Sequence, residues 1–231
     1  MRSTYFIALA FALPSIALAA NQNLNTLEKK ASYSIGVGFI KQMKAQDAKL
    51  DLDALILGLK DGAQGKKPAL SDAEMLQARQ DFQKQIQAAL TEKQKAIASS
   101  NLKAGNAFLK ANAKKKGVIT TKSGLQYKIL KKGKGPSPKL DDTVVTHYKG
   151  SLITGEEFDS SYKRNKPATF PVKGVIKGWT EALQLMKVGS KWQLFIPADI
   201  AYGASQRGQL IQPNSTLVFD IELLEIKPTK K

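Results

Sequence analysis

Tyr148, Phe158, Phe170, Trp179, Tyr202 and Phe219 gather ring-bearing side chains into one C-terminal stretch of a 231-residue chain that is only 7% aromatic. Between them stand one acid directly after a phenylalanine, in Phe158-Asp159-Ser160-Ser161, and two glycine-punctuated turns, Lys177-Gly178-Trp179 and Ala201-Tyr202-Gly203. Groups that make or break covalent bonds are scarce. The chain has no cysteine, and its single histidine, His147, has no second histidine with which to share a metal. No glycine-rich nucleotide signature is evident, and the lysine-bearing Gly133-Lys134-Gly135 reads as a turn. Such residues suit a reaction that needs shape and desolvation rather than a nucleophile. No metal, nucleotide or redox cofactor is expected.

The elements that must position these side chains follow from periodicity. After Gly117, Leu125, Tyr127 and Ile129 alternate with polar positions, as do Trp192, Leu194 and Ile196, and Leu217, Phe219, Ile221 and Leu223. Period-two patterning predicts half-buried strands, separated by turn clusters at Gly133 to Pro138, Thr154-Gly155-Glu156 and Gly203 to Pro213. One short helix is expected from Val175 to about Met186. Residues 20–117 read instead as helix. Leu27, Ala31, Ile35 and Phe39 recur every four residues, and Leu52, Leu55, Ile56 and Leu59 mark a second, shorter helix. Gly36 and Gly38 would either weaken the first helix or let another helix approach closely. Ser71-Asp72-Ala73-Glu74 reads as a capping box that opens a long helix running to about Lys116. Its apolar residues, Phe82, Ile86, Leu90 and Ile97, are too sparse to bury it on all sides, which predicts a spacer. Lys114-Lys115-Lys116 and Gly117 suit its C-terminal end.

The expected fold class is therefore α+β. It comprises a signal peptide over residues 1–19, a helical region over 20–70, a long linking helix over 71–117, and an antiparallel sheet wrapped on one short helix over 118–231. The signal peptide is read from Met1-Arg2-Ser3-Thr4, an apolar run from Tyr5 to Ala20 containing Pro14, and the ending Ala17-Leu18-Ala19-Ala20. That run is shorter than the roughly 20 residues a membrane span needs. Export is expected, to a periplasm-like compartment, with outer-membrane or surface association open and membrane contact at most peripheral. The net charge of +17 is spread evenly: residues 20–117 carry 17 Lys/Arg against 9 Asp/Glu, and residues 118–231 carry 18 against 10. An even spread argues against a dedicated nucleic-acid surface, which would concentrate cations on one element.

Thr146-His147-Tyr148-Lys149-Gly150, Phe158-Asp159-Ser160-Ser161, Gly178-Trp179-Thr180-Glu181-Ala182-Leu183, Ile200-Ala201-Tyr202-Gly203 and Thr216-Leu217-Val218-Phe219-Asp220 occur in an informative order and spacing. Together they make roughly residues 118–227 resemble the FKBP-type peptidyl-prolyl isomerases. The helical half, with Tyr33-Ser34-Ile35-Gly36, is similar to the macrophage infectivity potentiator (Mip) subfamily. The resemblance implies an enzyme acting on proline-containing polypeptides, a homodimer formed through residues 20–70, and affinity for macrolide inhibitors of the FKBP class. It also implies that Tyr148, Phe158, Phe170, Val175, Ile176, Trp179, Ile211 and Phe219 bind the prolyl group, with Trp179 as the floor. Tyr202 would donate its hydroxyl to a substrate carbonyl, and the Ile176 amide would be a second donor. Asp159 would act either electrostatically or by orienting Tyr148.

The physical reading agrees with that chemistry. An X-Pro bond has a small trans preference but a rotational barrier of about 18–20 kcal/mol, set by amide resonance. A dry pocket withdraws solvation from the planar, charge-separated form and so favours the twisted state. Plainer readings stand beside these: Trp179 and Phe219 as ordinary core, Asp159 as a turn residue, and His147 as structural, because it and Tyr148 point to opposite faces of a strand. In the loop from Ala204 to Gln212, Arg207 and Gly208 depart from the histidine or proline common in the family. A cation there would favour acidic or polar neighbours of proline. The rival function is a holdase chaperone or surface adhesion factor in which isomerase turnover is secondary.

Overall fold

The computed structural model describes residues 23–227. The expected signal peptide, residues 1–19, lies outside the described residues. The chain divides into two compact units, one ending at Asp72 and the other beginning at Ala73.

The first unit contains helices α1 (Leu27–Ala45) and α2 (Leu52–Ala63). Each starts where a side-chain oxygen meets an otherwise orphaned first-turn amide. Thr26 accepts from the Lys29 amide at 3.3 Å and Asp51 from the Ala54 amide at 2.9 Å. Neither helix buries a residue. The face that four-residue spacing predicts to be apolar stays in solvent, with Leu27 78% and Ile35 70% exposed. Neither Gly36 nor Gly38 has another element against it: a Cβ at either position would meet nothing within 4 Å.

The second unit opens with α3 (Asp72–Asn112) and continues through β1 (Val118–Thr120), β2 (Gln126–Lys131), β3 (Thr143–Leu152), β4 (Glu157–Ser160), β5 (Ala168–Pro171), α4 (Lys177–Leu185), β6 (Lys191–Ile196) and β7 (Leu217–Lys227). The strands form one antiparallel sheet in the order β1-β2-β6-β7-β3-β4, with β5 paired to β3. Alternation does what the sequence predicts on β6 and β7. Leu194, Ile196, Leu217, Ile221 and Leu223 are fully buried, and they pack with Leu183 and Met186 at the end of α4. Gly178 lets α4 lie close on the sheet, because a Cβ there would come within 2.5 Å of Ile196.

The other side of β6 shows what period-two reading leaves out. Phe195, opposite in phase to Leu194, meets Phe108 of α3 with ring centroids 5.9 Å apart. The buried Asn112 donates to Gln126 at 3.0 Å, and Gln126 donates to the Leu109 carbonyl at 2.9 Å. A Cβ on Gly105 would approach Thr216 Oγ1 to 2.2 Å. The strands begin at Val118, but the packing of this unit extends back over the last turns of α3. The helix itself stops at Asn112, short of the lysine run, and Gly117 takes φ of 83° in the turn that follows.

Candidate active site

The site is built from side chains of β3, β4, β5, β7 and α4. Tyr148 on β3, Phe158 on β4, Phe170 on β5 and Phe219 on β7 converge because each points inward from its strand. They can crowd together only because β3 carries Gly150 opposite Phe219. A Cβ at position 150 would lie 2.5 Å from the Phe158 ring and 2.7 Å from the Phe219 ring.

Trp179, in the first turn of α4 and 4% exposed, sits at the centre. Its ring meets Tyr148 at 5.3 Å and 83°, Phe170 at 5.7 Å and 86°, and Phe219 at 5.2 Å and 84°. Near-perpendicular contacts pair the positive edge of one ring with the negative face of another. Three of them lock the indole in one orientation. The α4 N-terminus is tied down by Thr180, whose hydroxyl donates to the Val172 carbonyl at 2.8 Å. That bond fixes the intervening Val175-Ile176 segment, where the Ile176 amide has no protein acceptor among the described residues.

The ten residues singled out from sequence all line one cleft of about 1030 Å³: Tyr148, Phe158, Asp159, Phe170, Val175, Ile176, Trp179, Tyr202, Ile211 and Phe219. The Tyr202 hydroxyl makes no hydrogen bond among the described residues. The turn that carries Tyr202 is held by the Gly203 amide donating to the Ala198 carbonyl at 2.8 Å and the Asn214 amide donating to the Gly203 carbonyl at 2.8 Å.

The polar wall has a partner that sequence reasoning missed. Asp159 accepts through one oxygen from the Tyr148 hydroxyl and through the other from Arg164 Nη1. Arg164 Nη2 donates to the Tyr148 hydroxyl at 2.9 Å and closes the triangle. Burial disfavours the Asp159 carboxylate, but the hydrogen bonds from Tyr148 and Arg164 and the guanidinium charge outweigh it, holding the carboxyl below the usual aspartate range. Burial, helped by the bond to Asp159, pushes the Tyr148 phenol up. Arg164 follows Asp159 by five residues in an irregular turn, so no helical or strand period links them.

Ser161, quoted in sequence only as part of a motif, clamps Tyr148 from behind. Its hydroxyl accepts from the Tyr148 amide at 2.8 Å, and its own amide donates to the Tyr148 carbonyl at 3.0 Å. His147 stacks on Tyr162 at 4.7 Å and pairs with the Ser161 hydroxyl at 2.9 Å, outside the cleft.

An antiparallel sheet wrapped on one helix, with an aromatic cleft built against that helix, is the fold and site that the resemblance to the FKBP-type isomerases implies. The comparisons agree. The model of the FKBP-type peptidyl-prolyl cis-trans isomerase family matches residues 135–224, and that of the domain amino terminal to it matches residues 28–129. The chain is 44% identical over 222 residues to the peptidyl-prolyl cis-trans isomerase Mip of Coxiella burnetii, covering 96% of each protein. It is 45% identical over 215 residues to the outer membrane protein MIP of Legionella longbeachae, covering 92% of each. Among solved structures it resembles the crystal structure of FkpA from Escherichia coli, with a TM-score of 0.76 and 41% identity, over 89% of this chain and 99% of that one. The chain belongs to the FKBP-type peptidyl-prolyl cis-trans isomerases, in the Mip subfamily.

Proposed function

We propose that this isomerase works by seating the prolyl ring on Trp179 and letting the preceding imide twist in a dry cleft. The observation that carries this reading is the set of three perpendicular contacts on Trp179, which make an apolar floor that cannot reorient. Placing the imide against such a floor removes water from its charge-separated planar form and so lowers the barrier to rotation. A reduction of about 6 kcal/mol corresponds to about four orders of magnitude in rate. The free Tyr202 hydroxyl and the free Ile176 amide are suited to hold the substrate carbonyls on either side of the bond. The Tyr148–Asp159–Arg164 triangle supports the orienting role for Asp159, because it fixes the Tyr148 ring.

The substrates are proline-containing segments of exported proteins, and the enzyme acts outside the cytoplasm as a homodimer joined through residues 20–70. The apolar residues on α1 and α2 support the dimer. Fully burying a large apolar side chain is worth about 1.5–3 kcal/mol, and Leu27, Ile35 and Leu59 are left 78%, 70% and 65% exposed in one chain. Among the described residues no helix is long and apolar enough to cross a membrane. The same exposed face favours a second reading, in which these helices also hold unfolded clients.

Isomerisation of a short Leu-Pro peptide by wild type, Tyr202→Phe and Asp159→Ala tests the mechanism. Each substitution should lower kcat/KM by about tenfold, the equivalent of about one lost hydrogen bond. Unchanged turnover in both would remove these residues from the reaction.

A further inference from the structure

Two charged side chains line the cleft, Asp159 and Arg207. Asp159 is neutralised by Arg164. Arg207 has no carboxylate within ion-pair distance among the described residues. Its guanidinium lies instead over the Tyr202 ring, 5.4 Å from the centroid.

The backbone holds it there. The Arg207 amide donates to the Ile211 carbonyl at 2.8 Å, and the Ile211 amide returns a bond to the Arg207 carbonyl at 3.3 Å. Gly208 supplies the φ of 57° that the turn needs, and the Gln206 side chain donates to its carbonyl at 3.0 Å. Ile211, 7% exposed, roots the turn in the core. A guanidinium resting on an aromatic face keeps its N–H fork free, and that fork matches a carboxylate.

We propose that Arg207, braced on Tyr202, is a carboxylate-binding subsite that selects prolines flanked by an acidic residue. This rests on the reading of the cleft as the prolyl site, since the same tyrosine borders both. The cation is exposed, so its pull is screened by water and salt, and the preference should be about threefold at low ionic strength.

The test compares peptides that differ only in charge: Glu-Pro against the isosteric Gln-Pro, and Pro-Glu against Pro-Gln. Each pair is measured with the full-length protein and with Arg207→Gln, and the ratio within a pair is the readout. Wild type should favour the acidic member of at least one pair by about threefold in kcat/KM. That preference should fade in high salt and vanish in Arg207→Gln. Tryptophan fluorescence on titration of the same peptides reads binding independently of turnover. If no peptide is accelerated but the acidic one still binds better and loses that advantage in Arg207→Gln, the subsite stands and the isomerase mechanism fails. Equal ratios in both pairs, or a preference that survives in Arg207→Gln, overturn the proposal.

Discussion

Both units of this chain place apolar residues at regular spacing, yet only one of them buries those residues. In the unit beginning at Ala73, alternation along β6 and β7 puts Leu194, Ile196, Leu217 and Ile221 out of water altogether. In the unit ending at Asp72, four-residue spacing along α1 leaves Leu27 and Ile35 more than half exposed, and α1 and α2 have no buried residue. The contrast teaches that periodicity predicts an apolar face but not what covers it. A sheet closes its face with its own strands and α4, whereas two short helices lack the surface to do so. The rigid cleft belongs to the unit with the core, and the uncovered face is suited to assembly.

The largest expected break comes from the centre of the cleft. Trp179→Ala removes the floor and opens a cavity in a core that cannot collapse around three perpendicular rings. It should destabilise the second unit by about 3–5 kcal/mol and abolish measurable turnover, read by denaturant unfolding and peptide isomerisation. Retained turnover in a folded variant would leave the indole as mere core.

Gly105→Ala probes the packing of α3 within the second unit. Its new methyl group would press on Thr216, so the last turns of α3 would shift from the sheet. A loss of about 1–3 kcal/mol is expected. No loss would mean that α3 is dispensable to the unit it opens.

Acid should act more gently. Asp159 titrates below its unfolded value because of its partners. Its contribution is therefore fully present above the ordinary aspartate pKa of about 4 and is lost as pH falls through the lower folded value. The stability difference between wild type and Asp159→Asn should be constant at neutral pH and shrink only on that acid limb. A carboxyl that is 40% exposed makes this a small effect. A difference that varies around neutral pH would contradict it.

The smallest effect on chemistry is expected from the helices. Ile35→Asp with Phe39→Asp should halve the mass seen by light scattering while short-peptide turnover stays within about twofold. A wild type that is already monomeric at micromolar concentration would remove the assembly role.

Six residues of the cleft, Tyr148, Phe158, Asp159, Trp179, Tyr202 and Phe219, were legible because they sit in punctuated motifs on strands, a turn and the first turn of α4, whereas Phe170 stood out only as an aromatic and Val175, Ile176 and Ile211 rested on the family resemblance. Arg164 was not legible, since it reaches Asp159 across an irregular turn with no period to betray it. Nor was the packing of α3. Its last turns bury a glycine, an asparagine bonded to a glutamine, and Leu109, with Phe108 meeting Phe195, a set too short and too mixed for a hydrophobic count to register. Buried polar pairs leave no trace in hydropathy, although Asn112 is as fully enclosed as any leucine of the core.

The most direct test of the division of labour is the isomerisation of a short Leu-Pro peptide by a fragment comprising residues 73–231, beside the full-length protein. The fragment's kcat/KM should lie within about twofold of full length, because every residue lining the cleft lies in that fragment. A fall of tenfold or more in a fragment that remains folded would contradict it, because the chemistry would then depend on α1 and α2.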